Sequence, residues 1–141
     1  EGGIRVPGII EWPAKISSGT KVDVPCFTSD YFPTIANILG IDPEKYQRPY
    51  DGENLIPYWT KQKQNRTKPL TFQFNNQFAL IDNDHKLYGI SHGVQQLYDL
   101  RQDATEENDL SSLQPEKLMA LQRLYRDWNL SVQNSNDGRD Y

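Results

Sequence analysis

The sequence predicts an α/β (α+β) chain: a helical, loop-rich first half, then a four-stranded antiparallel sheet closed by a C-terminal helix. Three observations predict it. Apolar residues recur at three- and four-residue spacing between Tyr31 and Leu39. From Leu70 the spacing changes to alternation, and short apolar runs follow one another between Asn, Asp, Ser and Gly turns. After Pro115, the residues Leu118, Leu121, Leu124, Tyr125 and Trp128 share one wide helical stripe. The change of period falls across Lys61 to Lys68, a polar and basic run. Residues 1–60 are therefore expected to form one unit, 61–69 an exposed linker, 70–132 a sheet-and-helix unit and 133–141 a disordered tail.

Each element has a local reason. Val6, Ile9, Ile10 and Trp12 predict a mostly buried strand, with Pro7 and Gly8 confining it to an edge or a bulge. Val22 to Thr28 reads as a short extended piece. Ser29 and Asp30 suit a helix start, Pro33 still falls in the first turn, and Gly40 is a C-cap. Tyr31, Phe32, Ile35, Ile38 and Leu39 make its apolar face. Leu55 to Trp59 reads as a short helical turn after a loop rich in Pro and Gly. Leu70–Phe74, Phe78–Ile81, Lys86–Ile90 and Gln95–Leu100 are the four strands, and Asp82-Asn83-Asp84 is a tight turn. The closing helix spans about Pro115 to Leu130 and packs on one sheet face.

Composition narrows the function. A chain of 141 residues is about one domain and long enough to bury a core. Its 15 basic and 19 acidic residues give a net charge of −4 and no like-charge block reaches five, which argues against nucleic acid as the main partner. No apolar run is long enough to span a membrane. Cys26 is the single cysteine, so an internal disulfide or a cysteine-built zinc site is excluded, and it reads as a buried structural thiol. His85 and His92 lie outside any zinc-type spacing and read as surface residues, with His85 a candidate to line a cleft. Asp99, Asp103, Glu106, Glu107 and Asp109 lack the spacing of a calcium loop and read as turn and helix-start chemistry. Asn65-Arg66-Thr67 and Asn129-Leu130-Ser131 fit the glycosylation sequon. Trp12, Trp59 and Trp128 leave a sugar-stacking platform open beside ordinary core packing.

The motifs say more. Glu1-Gly2-Gly3-Ile4-Arg5-Val6-Pro7 through Trp12-Pro13 resembles the E-G-G-x-R-x-P-x-x-x-x-W-P stretch of the sulfatases, the formylglycine-dependent members of the alkaline phosphatase superfamily. Asp30 to Thr34 resembles their D-x-x-P-T helix start, and Asp51 to Pro57 their D-G-x-x-L-x-P loop. Lys86-Leu87 resembles the W-K-L strand, with His85 in place of Trp. Leu97-Tyr98-Asp99-Leu100 with Asp103, Glu106 and Asn108 resembles L-Y-D-L-x-x-D-P-x-E-x-N-L, with Ala104 replacing the proline and Asp109 intervening before Leu110. These matches run in the family's order along nearly the whole chain.

The resemblance covers the C-terminal third of a sulfatase. It implies that residues 1–60 are the end of the α/β catalytic domain and residues 70–132 the C-terminal subdomain. The family's nucleophile motif, Cys or Ser followed by x-Pro-x-Arg, has no match, and the metal carboxylates have no counterpart. No catalytic or metal-ligating residue is therefore assigned, and the chain alone is expected to be inactive. Calcium and formylglycine are expected in the parent and neither within these residues. Asn75, Asn76 and Gln77 form a loop where the family often carries substrate-facing residues, and amides suit sugar hydroxyls; His85 joins them as a candidate substrate contact. Glu1 and Arg5 are candidates to support the active-site wall. The expected partners are the parent's N-terminal catalytic domain and a sulfated carbohydrate, with self-association through uncovered apolar surface left open. Ile9, Ile10, Phe32 and Ile35 are expected to be that surface. The family is exported, so a periplasmic or secreted location is expected. The rival readings are a non-catalytic glycan- or protein-binding module and a phosphate-ester hydrolase of the same superfamily.

Overall fold

The structure, a computed structural model, describes residues 6–45, 49–91 and 93–139. Asn75 and Asn83 both sit at φ 53°, the left-handed region that Asn tolerates better than most residues. Each opens a two-residue turn. Asn75-Asn76 joins β1 (Leu70–Phe74) to β2 (Gln77–Asp82), and Asn83-Asp84 joins β2 to β3 (His85–Ile90). β4 (Gln95–Asp99) completes a four-stranded antiparallel meander in the order β1-β2-β3-β4, as the alternation predicts.

The register puts Leu80 opposite Leu87 and Leu87 opposite Leu97, so three leucines cross one face in a row. With Phe78 they form the core, closed by Leu121 of α3 (Pro115–Asn136) and flanked by Leu110, Leu118 and Tyr125. The Phe78 and Tyr125 rings stack at 3.7 Å between centroids and 11° between planes. Gly89, paired with Phe78, makes room for that stack: a Cβ there would lie 2.7 Å from the ring tip of Phe78. α3 thus packs where its stripe predicts. It runs on to Asn136, so the first residues of the expected disordered tail are helical.

The first half departs further from expectation. Residues 6–10 form no strand and are exposed, with Ile9 98% and Val6 79% accessible. An apolar run needs a neighbouring strand to pair with, and among the described residues none adjoins it. A 3₁₀ turn (Thr28–Asp30) leads into α1 (Tyr31–Ile38), ended by Gly40 at φ 68°. This helix buries Pro33, Thr34 and Ala36 and leaves Tyr31, Phe32, Ile35, Ile38 and Leu39 exposed. Its apolar face therefore points away from this chain's own core. Cys26, expected to be buried, is exposed. α2 (Ile56–Trp59) is the short helix expected after the loop.

Within the segment read as an exposed linker, residues 61–65 are exposed but Arg66 is an anchor. Arg66 is 5% exposed and its guanidinium pairs with the fully buried Asp30 carboxylate in a fork, Nη1 to Oδ2 at 2.9 Å and Nη2 to Oδ1 at 2.8 Å. The Arg66 backbone N–H donates to Asn83 Oδ1 at 2.7 Å, which ties the same residue to the β2–β3 turn. The helical half and the sheet are fastened at this point. A run of Lys, Gln, Asn and Arg reads as solvated by composition because the carboxylate that draws Arg66 in lies 36 residues away.

Candidate functional site

Around Asp30 the buried polar groups are fully engaged. Its carboxylate accepts the Phe27 and Glu53 backbone N–H groups, both at 2.7 Å, besides the two Arg66 bonds. Thr34 Oγ1 donates to the Asp30 carbonyl at 2.6 Å and accepts the Leu55 N–H at 2.9 Å, so α1 holds the loop before α2. Gly52 is needed there, since a Cβ on it would collide with the Ser29 backbone and come within 2.8 Å of Asp30 Cα. Glu53, 8% exposed, accepts from the Tyr58 hydroxyl and from the backbone N–H groups of Thr67 and Lys68. Burial pushes the Glu53 carboxyl up, but those donors and the Arg66 charge outweigh it and hold it below its ordinary value. Burial first, then the bond to Glu53, pushes the Tyr58 hydroxyl up. Asp30, Thr34, Gly52 and Glu53 occupy positions that resemble D-x-x-P-T and D-G-x-x-L-x-P, and their hydrogen bonds and close approach tie α1, the loop before α2 and the segment before β1 together.

The junction positions Lys68 and Tyr50, which separate two clefts. Lys68 Nζ donates to the Tyr50 carbonyl at 2.8 Å and the Gly52 carbonyl at 3.3 Å, and lies 4.4 Å from the centre of the Tyr50 ring. The Tyr50 hydroxyl donates to Glu44 at 2.7 Å, and that bond, with burial and the Glu44 charge, raises it to about 12. One cleft of about 290 Å³ is lined by amides, carboxylates and lysines, among them Asn37, Glu44, Asn54 and Lys63. The other, about 320 Å³, runs between Tyr50, Lys68, the start of β1 and the second half of α3, with Phe27 and Trp128 in its wall. Sequence reading missed Lys68 and Tyr50; a Lys in a basic run and a Tyr in a loop carry no local signal of a shared position.

The sequence-predicted candidates are not brought together. Asn75, Asn76 and Gln77 are exposed at the β1–β2 turn, and Asn76 accepts the Ser91 N–H through its carbonyl at 2.7 Å. His85 is half-buried at the opposite end of the sheet, paired with Asp82 and Asp99. The length of β2 separates the two positions by roughly 17 Å. Glu1, Arg5 and His92 lie outside the described residues. The acidic cluster organises its own loop: Asp99, Asp103 and Asp109 each accept backbone N–H groups, and Glu106 forms a two-oxygen bridge to the buried Lys86 at 2.7 Å. Among the described residues no three His, Cys, Asp or Glu side chains converge in a group that could hold a metal ion. No helix of the described residues is long and apolar enough to cross a membrane.

No family model matches the chain. Over 78 residues it is 40% identical to steryl-sulfatase of Homo sapiens, a match that spans 55% of this chain and 13% of that protein. It is 40% identical to arylsulfatase D of Homo sapiens over 57 residues, 40% of this chain and 9% of that protein. To arylsulfatase H of Canis lupus familiaris it is 43% identical over 58 residues, 40% of this chain and 10% of that protein. Among solved structures, the crystal structure of Ps i-CgsB superposes with a TM-score of 0.73 at 23% identity, over 85% of this chain and 28% of that one. That superposition shows the shared fold. The chain spans only about an eighth of the curated steryl-sulfatase it matches, 13% of its length.

Proposed function

We propose that this chain, which is similar to sulfatases, is a C-terminal portion of one and completes a longer sulfate-ester hydrolase as scaffold and cleft wall. The observation that carries this reading is the 40% identity to steryl-sulfatase over 78 residues. Relatives named steryl-sulfatase and arylsulfatase D and H favour sulfate over phosphate esters and an enzyme part over a free-standing binding module.

In this reading the chemistry lies in the remainder of the parent. Cys26 is followed by Phe27 and Thr28, not by the x-Pro-x-Arg that formylglycine maturation of that family reads, and the carboxylates here serve turns and bridges. Calcium and formylglycine are assigned to the parent, and no step is derived through them. What this chain supplies is position. The Asp30–Arg66–Glu53 junction holds α1 at a fixed angle to the sheet, and the outward apolar face of α1, with Ile9 and Ile10, docks on the parent's catalytic domain. The Asn75-Asn76-Gln77 turn offers amides to substrate hydroxyls, while His85, at the far end of the sheet, serves a different part of the surface. A sulfated sugar or glycan is the substrate we favour; Ps i-CgsB has been crystallised in complex with k-i-k-neocarrahexaose. The names of the relatives favour a second reading, a steryl or aryl sulfate. A periplasmic or secreted location goes with the parent.

The test is a panel of esters offered to the full-length parent, matured with formylglycine and supplied with calcium: an aryl sulfate, a steryl sulfate, a sulfated oligosaccharide and an aryl phosphate. The reading predicts sulfate release, fastest from the oligosaccharide, and little from the phosphate. A faster phosphate reaction overturns the sulfatase assignment. A faster steryl ester overturns only the sugar.

A further inference from the structure

Antiparallel sheets commonly leave one face to water, and that face then carries polar side chains. Neither face of this sheet follows that pattern. Residues paired across strands share a face, so the register sorts the sheet into two. One face, with Phe78, Leu80, Leu87 and Leu97, lies against α3. The outer face carries three rows. Leu70, Ile81, Lys86 and Tyr98 form the first, and all four are buried. Phe72, Ala79, Tyr88 and Gln96 form the second and are half-buried. Phe74, Gln77 and Ile90 form the third, extended by Val94, whose carbonyl accepts the Ile90 N–H at 3.3 Å. This last row is exposed, with Phe74 77%, Val94 76% and Ile90 39% accessible. The cover at the buried end comes from other parts of the chain. The Phe27 ring meets Phe72 edge-on at 5.1 Å, and Glu106 reaches over to Lys86. The helical half therefore reaches onto the outer face, and its cover stops short of the third row.

We propose that the row of Phe74, Gln77, Ile90 and Val94 is a second docking surface for the parent's catalytic domain, and that the sheet is the middle layer of three. This rests on the reading of the chain as a C-terminal portion of a longer hydrolase. The matches cover 13% of steryl-sulfatase and 28% of Ps i-CgsB, so most of each relative lies outside this chain and is long enough to supply the missing layer. The row carries no charged side chain. The surface that meets it is accordingly apolar, with a hydrogen-bonding group for the Gln77 amide, because a buried charge or an unpaired amide there would be costly. The helical half already reaches this face, so one body resting on that side covers the row and the outward side of α1 together. The Asn75-Asn76 turn borders the row, and docking there places its amides at the seam between the two domains.

The experiment compares carbene footprints, generated from a photolysed diazirine, of this chain and of the full-length parent. The expected result is strong labelling of Phe74, Ile90 and Val94 in this chain and, in the parent, labelling as low as at the buried Leu97. Met119 and Leu130, exposed on α3, stay labelled in both. Phe74→Ser with Val94→Ser lowers the melting temperature of the parent and leaves that of this chain unchanged. Equal labelling of the row in chain and parent overturns the proposal. Cover over Ile35 in that same sample then leaves the C-terminal reading standing, whereas an uncovered Ile35 removes that reading as well. Cover that appears only on adding a sulfated oligosaccharide assigns the row to the substrate cleft and overturns the domain contact. Labelling of the isolated chain that falls as its concentration rises assigns the row to a second copy, which overturns it too.

Discussion

Arg66 makes four hydrogen bonds through its guanidinium: two to Asp30, one to the Pro25 carbonyl at 3.1 Å and one to the Lys68 carbonyl at 3.2 Å. Removing it leaves the Asp30 charge buried with backbone donors only. Arg66→Met should therefore destabilise the chain by about 3–5 kcal/mol in urea unfolding. A loss under about 1 kcal/mol would show that the fork contributes little. Glu53 sets the pH response of the same junction. Its folded value lies below its ordinary one, so its contribution is present above about pH 4.5 and is lost as pH falls through the depressed folded value. Stability should drop in that acid window, and Glu53→Gln should both lower stability at pH 7 by about 1–3 kcal/mol and flatten the drop. A Gln variant with an unchanged acid slope would assign the slope to other carboxylates. At Gly89 the crowding atoms are the Phe78 ring tip and the Gln95 side chain, and the ring is pinned by its stack on Tyr125. Gly89→Ala should cost about 1–3 kcal/mol, read as a lower melting temperature.

The helices α1 and α3 show what local pattern tells and what it does not. Both carry an apolar stripe at helical spacing, and both stripes are legible in the sequence. The α3 stripe lies on the sheet, whereas the α1 stripe lies open; periodicity gives a face and says nothing of what covers it. Tyr125→Ala should thus cost about 2–4 kcal/mol, through the lost Phe78 stack and the cavity behind it. Ile35→Ser on the outward face of α1 should stay within about 0.5 kcal/mol in the isolated chain. Equal losses at both positions in thermal unfolding would mean that α1 is covered in solution. The sheet was legible nearly to the residue because alternation and Asn turns fix register together. The strand expected around Ile9 was not, since a strand needs a neighbour and sequence alone does not supply one. The junction was hidden for the same reason: Asp30, Glu53 and Arg66 meet only after folding. The Asn75-Asn76 turn itself was legible where the alternation breaks, whereas the clefts beside Lys68 were invisible because they are built from separate segments.

At the scale of the molecule, apolar surface is distributed unevenly. The core lies between sheet and α3, and five large side chains of one short helix and its cap stand exposed, together with Val6, Ile9 and Ile10. Large apolar side chains left exposed on one helix face mark an interaction surface on a folded protein. The catalytic domain of a longer parent is the occupant this account assigns to it. The isolated chain should accordingly bind a hydrophobic dye, and Phe32→Ser with Ile35→Ser should reduce that signal. The central claim is that this chain completes a sulfate-ester hydrolase without performing the chemistry. The most direct measurement divides the parent just before Glu1 and assays aryl-sulfate hydrolysis by the preceding part, by this chain and by the two mixed. The account predicts no turnover by this chain, little by the preceding part, and recovery on mixing that the α1 double variant weakens. Turnover by this chain alone, or full turnover by the preceding part without it, would contradict the account.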